Sequence, residues 1–305
     1  MRNLLKTFLV SVLALSGSYF FASCGGGNKT ETAQSELDTS AGTDAQVLEV
    51  VENLFSKLPK PSSIPNLIYM TGAEYEAKML LPAQGLDKLA ATGTNADAAC
   101  ALGMLLSDIG YMAAYEKGHE ATRFFVMGKK LADKAGISNS IDQELITKME
   151  NNIALKDSLI RLTDLTLARS SEMLKKNDQI KDAALLTAGG LIEGIYLTCG
   201  LIHDYPPTGM PKAEQDKILV PLVNTVIRQE DAIADVTELL RKVNEPQADE
   251  RVTSLISRLE AIQGIYTQAN WKERLAKNDG SLVPTEKDID ALSRSISELR
   301  NSLIP

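Results

Sequence analysis

The sequence predicts an all-α protein, a multi-helix bundle or an irregular array of antiparallel helices, over residues 44–305. Three observations carry that expectation. Apolar residues recur at spacings of three and four along most of the chain, as on a helix face. No stretch alternates apolar and polar residues as a half-buried strand would. Aromatic residues are only 5% of the 305, while apolar residues are 44% and charged residues 24%; abundant Ala, Leu, Glu and Lys favour helix over sheet, and the balance suits a chain that buries a sizeable core.

The elements follow in order. Val47, Val50, Val51 and Leu54 mark a first helix over 44–57, ended by Pro59, Pro61 and Pro65. Further helical pieces are expected near 65–80 and 85–91. From 95 to 117, Leu102, Leu105, Leu106, Ile109, Met112 and Ala113 share one side. Thr94 and Asp97 are spaced as a capping box before it, and Gly118 reads as its break. A second helix is expected over 119–135, with Gly136 as its stop. Ser140 and Gln143 are spaced to cap the next helix, or close pair of helices, which runs to Lys176. Residues 180–202 form the most apolar helix of the chain. The proline-rich loop 203–211 ends it and is a possible subdivision of the domain. One long helix is expected over 214–243, with Pro221 in its first turn or kinking it, then helices over 249–270 and 285–303. Thr285 and Asp288, after Pro284, are spaced to cap the last of these, in which Ile289, Leu292, Ile296, Leu299 and Leu303 step by three and four.

The N-terminus carries a different signal. Arg2 and Lys6 precede an apolar run over 8–22, shorter than the roughly 20 residues a bilayer-spanning helix needs, so it reads as a secretory signal. The run ends in Phe21-Ala22-Ser23-Cys24. This segment resembles the lipobox of bacterial lipoproteins, of the looser Bacteroidetes type, with Phe21 where Leu is usual. The resemblance implies removal of residues 1–23 and lipidation of the Cys24 thiol, with several acyl chains giving firm attachment. It places the chain in the cell envelope, anchored to the outer membrane. Residues 24–43 read as a flexible tether with an r.m.s. reach of roughly 24 Å. Acidic residues after the cysteine, which in the family can mark surface export, are missing from Gly25-Gly26-Gly27-Asn28-Lys29, so the membrane face stays open. The helix pair at 95–135 resembles a tetratricopeptide-type hairpin in length and in its Tyr, Gly, Ala and Phe placements, over about 40 residues and without a recurring period. The mature chain as a whole resembles all-helical lipoproteins of Bacteroidetes-type bacteria, a resemblance that implies no activity.

The formal net charge is −8, which argues against nucleic acid and against docking on anionic lipid by charge alone. There is no phosphate-binding loop, dinucleotide fingerprint or nucleophile elbow. His119 and His203 lack metal-ligand spacing and read as helix-end residues. No cofactor, metal or catalytic residue is therefore assigned, and the chain is not expected to be an enzyme. Two stretches place an acid, a glycine and a tyrosine inside very apolar helices: Asp108-Ile109-Gly110-Tyr111 and Glu193-Gly194-Ile195-Tyr196. A buried acid must be paired or hydrogen-bonded; Tyr111, Tyr115, Tyr196 or a basic residue from elsewhere could serve. Asp108, Tyr111, Glu193 and Tyr196 are accordingly the candidate ligand-binding residues. An internal polar link between helices, a small-ligand pocket and an acid–base pair remain open as alternatives. Cys100 and Cys199 lie in the same two helices, and their spacing cannot decide between a disulfide and two free thiols.

The expected role is a membrane-anchored helical scaffold that contacts another envelope protein or peptide; the alternative is a small-molecule-binding lipoprotein with a pocket near Asp108 and Glu193. Cys24→Ala is expected to abolish labelling of the chain by radioactive palmitate. Equal labelling of the variant would remove the anchor.

Overall fold

Among the described residues the first α-helix is α1, Ala83–Thr92. It is preceded by an irregular strap, residues 73–81, which contains one 3-10 turn at Ala77–Met79. The computed structural model describes residues 73–203, 211–245, 247–277 and 286–304. The helix expected over 44–57, Cys24, the tether, most of the loop 203–211 and the Thr285 cap lie outside the described residues. Within them every regular element is a helix and none is a strand, as the sequence predicts.

Helix α2 spans Asn95–Ala114, and Thr94 and Asp97 form its capping box: Asp97 N–H donates to Thr94 Oγ1 at 3.2 Å and Thr94 N–H to Asp97 Oδ2 at 2.8 Å. The Asp97 carboxylate also accepts from Arg251 Nη1 at 2.8 and 2.9 Å, which ties this helix end to a later helix. The break that follows is made by Glu116, at φ 59°, and Gly118 instead opens α3, Gly118–Lys134. Gly136, at φ +79°, stops α3 as expected, because the left-handed backbone suits glycine.

The region up to Lys176 is a pair, α4 (Gln143–Asn151) and α5 (Lys156–Lys176). The cap of α4 is Asp142, whose side chain accepts from Leu145 N–H at 2.8 Å. Ser140, the expected cap, lies instead in a 3-10 turn over Ser138–Ser140, where the chain is still turning. Helix α6 is Ile180–His203. The single helix expected over 214–243 is two, α7 (Lys212–Ile227) and α8 (Glu230–Asn244). They part at Arg228–Gln229, where ψ opens to −7° and −3° and Gln229 N–H bonds the carbonyl three residues back, at 3.1 Å. Pro221 lies well inside α7 and not in its first turn. Helix α9 (Glu250–Ala269) starts on the Asp249 side chain and ends on Asn270 at φ 50°. Helices α10 (Trp271–Ala276) and α11 (Glu286–Leu303) complete the order.

The core is organised around the crossing of α2 and α6, both buried on almost every side. Their backbones meet through glycines: a Cβ on Gly103 would lie 1.8 Å from the Leu186 carbonyl oxygen, and one on Gly189 2.1 Å from that of Cys100. Ser107 Oγ donates to the Gly190 carbonyl at 2.8 Å across the same contact. Helices α3 and α5 pack on α2, while α8 and α11 pack on α6 with α9 outside them. By length and composition α6 could cross a membrane, but 78% of its apolar stretch is buried inside the protein, which is what a core helix requires.

Because the atoms in the way are backbone, neither Gly103 nor Gly189 has room to relax. Gly103→Ala is expected to destabilise the fold by about 3 kcal/mol or more, read by urea unfolding. A change below about 0.5 kcal/mol would mean the two helices do not meet there.

Candidate functional site

Helix α2 carries Asp108 inward, and its neighbour α6 carries Glu193 inward; both are 0% exposed. A buried carboxylate needs a partner, and the partner comes from the end of the chain. Arg300, on the apolar face of α11, is 6% exposed and grips Glu193 with two parallel bonds: Nε to Oε2 at 3.1 Å and Nη2 to Oε1 at 3.0 Å. The same Nη2 donates to the Met79 carbonyl of the strap at 3.1 Å. The guanidinium lies over the Tyr196 ring, 4.4 Å from its centre, so its face is covered as well as its edge. Asp108 Oδ2 accepts from Leu81 N–H at 2.8 Å.

Asp108 Oδ1 is buried and receives no donor. Its neighbour is the Glu193 carboxyl, an acceptor, and this fixes where a proton must sit. Burial raises the Asp108 carboxyl, and the Glu193 charge raises it further, to well above the carboxylate range. Burial raises Glu193 too, while Arg300 draws it back and leaves it only raised. Two carboxyls facing one guanidinium thus hold one proton between them. It resides on Asp108, which donates to Glu193, and Glu193 carries the charge that faces Arg300. The cluster is then neutral and its buried polar atoms are met.

Tyr111 belongs to the next turn of α2 and serves the strap: its hydroxyl accepts from Glu76 N–H at 2.8 Å. Tyr115 Oη donates to the Ala73 carbonyl at 2.6 Å. Tyr75 stacks on Tyr111, with ring centres 5.3 Å apart, and its hydroxyl donates to Glu120 Oε2 at 2.7 Å. These bonds explain why the described part of the expected 65–80 helix is not one. Beyond the two bonds of the 3-10 turn, its backbone groups bond to side chains of the bundle instead of to one another.

All four candidate residues therefore fall in one region. Asp108 and Glu193 touch each other, Tyr196 joins them through Arg300, and Tyr111 stands beside them under the strap. Arg300 itself escaped the sequence reading. The signal was present: it stands four residues after Ile296, on the stripe formed by Ile289, Leu292 and Leu299. Cys100 and Cys199 are buried free thiols, each pushed up to about 12 by burial, and inert at that value. His119 and His203 are exposed at helix ends.

The linkage has a definite sign. The native cluster keeps a proton that the unfolded chain releases above the ordinary carboxylate range. This stabilisation is full below about pH 4 and declines as pH rises towards the raised native value. Asp108→Asn keeps the acceptor for Leu81 and a donor for Glu193 without that proton. It is expected to melt higher than the parent chain at pH 8, with the difference shrinking towards pH 4. Glu193→Gln removes both carboxylate bonds to the buried Arg300 and is expected to cost about 3–5 kcal/mol. A destabilised Asp108→Asn variant at pH 8 would place the proton elsewhere.

Comparison with protein-family models, with curated proteins and with solved structures gives no match to the chain.

Proposed function

We propose that the chain is a lipid-anchored helical scaffold of the cell envelope, tethered through Cys24, that docks another envelope protein or peptide. The observation that carries the role is the closure of the Asp108–Glu193–Arg300 cluster. The acid and base groups that the sequence offers for chemistry are engaged with one another and with the strap backbone, at 0–6% exposure. A small ligand at Asp108 and Glu193 would have to displace those partners, so the geometry favours docking through a surface over an internal pocket or an acid–base reaction. The anchor itself rests on the Phe21–Cys24 segment and the polar run 25–43 that follows it.

Chemical crosslinking in intact cells, followed by purification of the chain from the envelope fraction, tests both parts of the proposal. The expected product is a discrete adduct with a second envelope polypeptide, lost in the Cys24→Ala chain. Recovery of the protein alone counts against the scaffold. An adduct that persists unchanged in Cys24→Ala removes the anchor from the role.

A further inference from the structure

The strap is held in an unusual way for a connecting segment. Among the described residues, its backbone-to-backbone bonds are those of the 3-10 turn, Met79 N–H to Glu76 O at 3.1 Å and Leu80 N–H to Ala77 O at 3.2 Å. Four other backbone groups are taken by bundle side chains: the Ala73 carbonyl by Tyr115, Glu76 N–H by Tyr111, the Met79 carbonyl by Arg300 and Leu81 N–H by Asp108. Donor and acceptor side chains thus alternate along the backbone of the strap, on either side of its 3-10 turn. Apolar anchors are added at Met79 and Leu81, 3% and 2% exposed, while Glu74, Ala77 and Lys78 face solvent. The Met79 seat is built in: a Cβ on Gly200 would come within 2.5 Å of Met79 Sδ, so the glycine on α6 leaves the space that the thioether fills.

Side chains that read backbone groups, together with pockets for alternate residues, are how extended peptides are recognised. We propose that the groove between α2, α6 and α11 is a peptide-binding site that the chain's own residues 73–81 occupy, and that a partner enters it by exchange with them. The occupant is a segment of another polypeptide with apolar residues two apart, placed as Met79 and Leu81 are, that follows the path of the strap with its 3-10 turn included. Exchange and not simple opening is required: with the strap gone, Asp108, Arg300 and the two tyrosines each lose a bond in a buried place, and an incoming backbone restores the same bonds. The proposal gives the scaffold its docking surface and rests on that reading for the existence of a partner.

The probe is a fluorescein-labelled synthetic peptide of residues 73–82, titrated by anisotropy into the full-length chain. An internal competitor lowers apparent affinity by the fraction of time it leaves the groove free. The strap variant Tyr75→Ala/Met79→Ala loosens the competitor without touching the groove, and is expected to bind the peptide about tenfold or more tighter than the parent chain. Adding Gly200→Ala, which fills the methionine seat, is expected to reverse that gain with helical content unchanged. Hydrogen exchange on the parent chain gives an independent reading: the Glu76 and Leu81 amides are expected to exchange about a hundredfold or more faster than those of Met104 and Leu105 in α2. Strap amides that exchange only together with α2 overturn the proposal, as does a folded strap variant that ignores the peptide. A strap variant that dimerises and excludes the peptide also overturns it, in favour of strap exchange between two copies. An envelope partner found by crosslinking alongside a peptide that fails to bind would leave the scaffold standing and end this site alone.

Discussion

A guanidinium enclosed by apolar helices cannot be left half-paired, because an isolated buried charge carries a desolvation penalty of several kcal/mol. Arg300 meets that demand from three directions at once: the Glu193 carboxyl on α6, the Met79 carbonyl on the strap and the Tyr196 ring. Each partner lies far from it in sequence, so satisfying Arg300 requires α11, α6 and the start of the described chain to be in place together. Ion pairs of this kind add little net stability compared with a well-packed apolar contact. Their effect is on arrangement. The helices of this bundle are joined by permissive apolar surfaces, and a slip of α11 along α6 by one turn would preserve much of that apolar burial while stranding Arg300. The Gly103–Gly189 crossing acts in the same direction through shape, since only one registration of α2 on α6 brings two Cβ-free positions against the opposing carbonyls.

The second carboxyl turns this local pair into a wider constraint. Glu193 alone would balance Arg300. Asp108 makes a surplus of one acid, which the native state resolves by retaining a proton. In that form Asp108 faces two ways, with a donor towards Glu193 and an acceptor towards Leu81 N–H. The strap, α2, α6 and α11 therefore share one hydrogen-bonded unit, in which loss of any member leaves another unsatisfied.

Much of this architecture was legible in the sequence and part of it was not, for identifiable reasons. The Thr94–Asp97 box and the Gly136 stop are local, and local chemistry decided them. The acids at 108 and 193 were legible as anomalies, because a carboxyl among leucines and alanines demands a partner. What failed was non-local. The strap looked helical because Met79 and Leu80 sit in an apolar, helix-prone run, whereas its backbone is claimed by Tyr111, Tyr115, Asp108 and Arg300. The α7–α8 break falls at Arg228–Gln229, two residues with no breaking propensity, while Pro221, which has it, is accommodated inside α7. Arg300 was hidden by the convention that arginine marks the solvent face; read against the stripe of Ile289, Leu292, Ile296 and Leu299, it stands on the wrong side.

The closure of the cluster also changes what a partner would have to do. An open pocket is filled by whatever diffuses in, but a groove already lined with its own chain admits only a competitor that makes the same backbone bonds. Such a site is selective for polypeptide over small solutes, because a solute cannot supply donors and acceptors spaced along a chain as the strap does. The four bonds follow one another along the strap, those of Tyr115 and Tyr111 at one end and those of Arg300 and Asp108 at the other. An incoming segment can therefore take the Ala73 and Glu76 bonds while the Met79 and Leu81 seats are still held, and replace the resident one step by step.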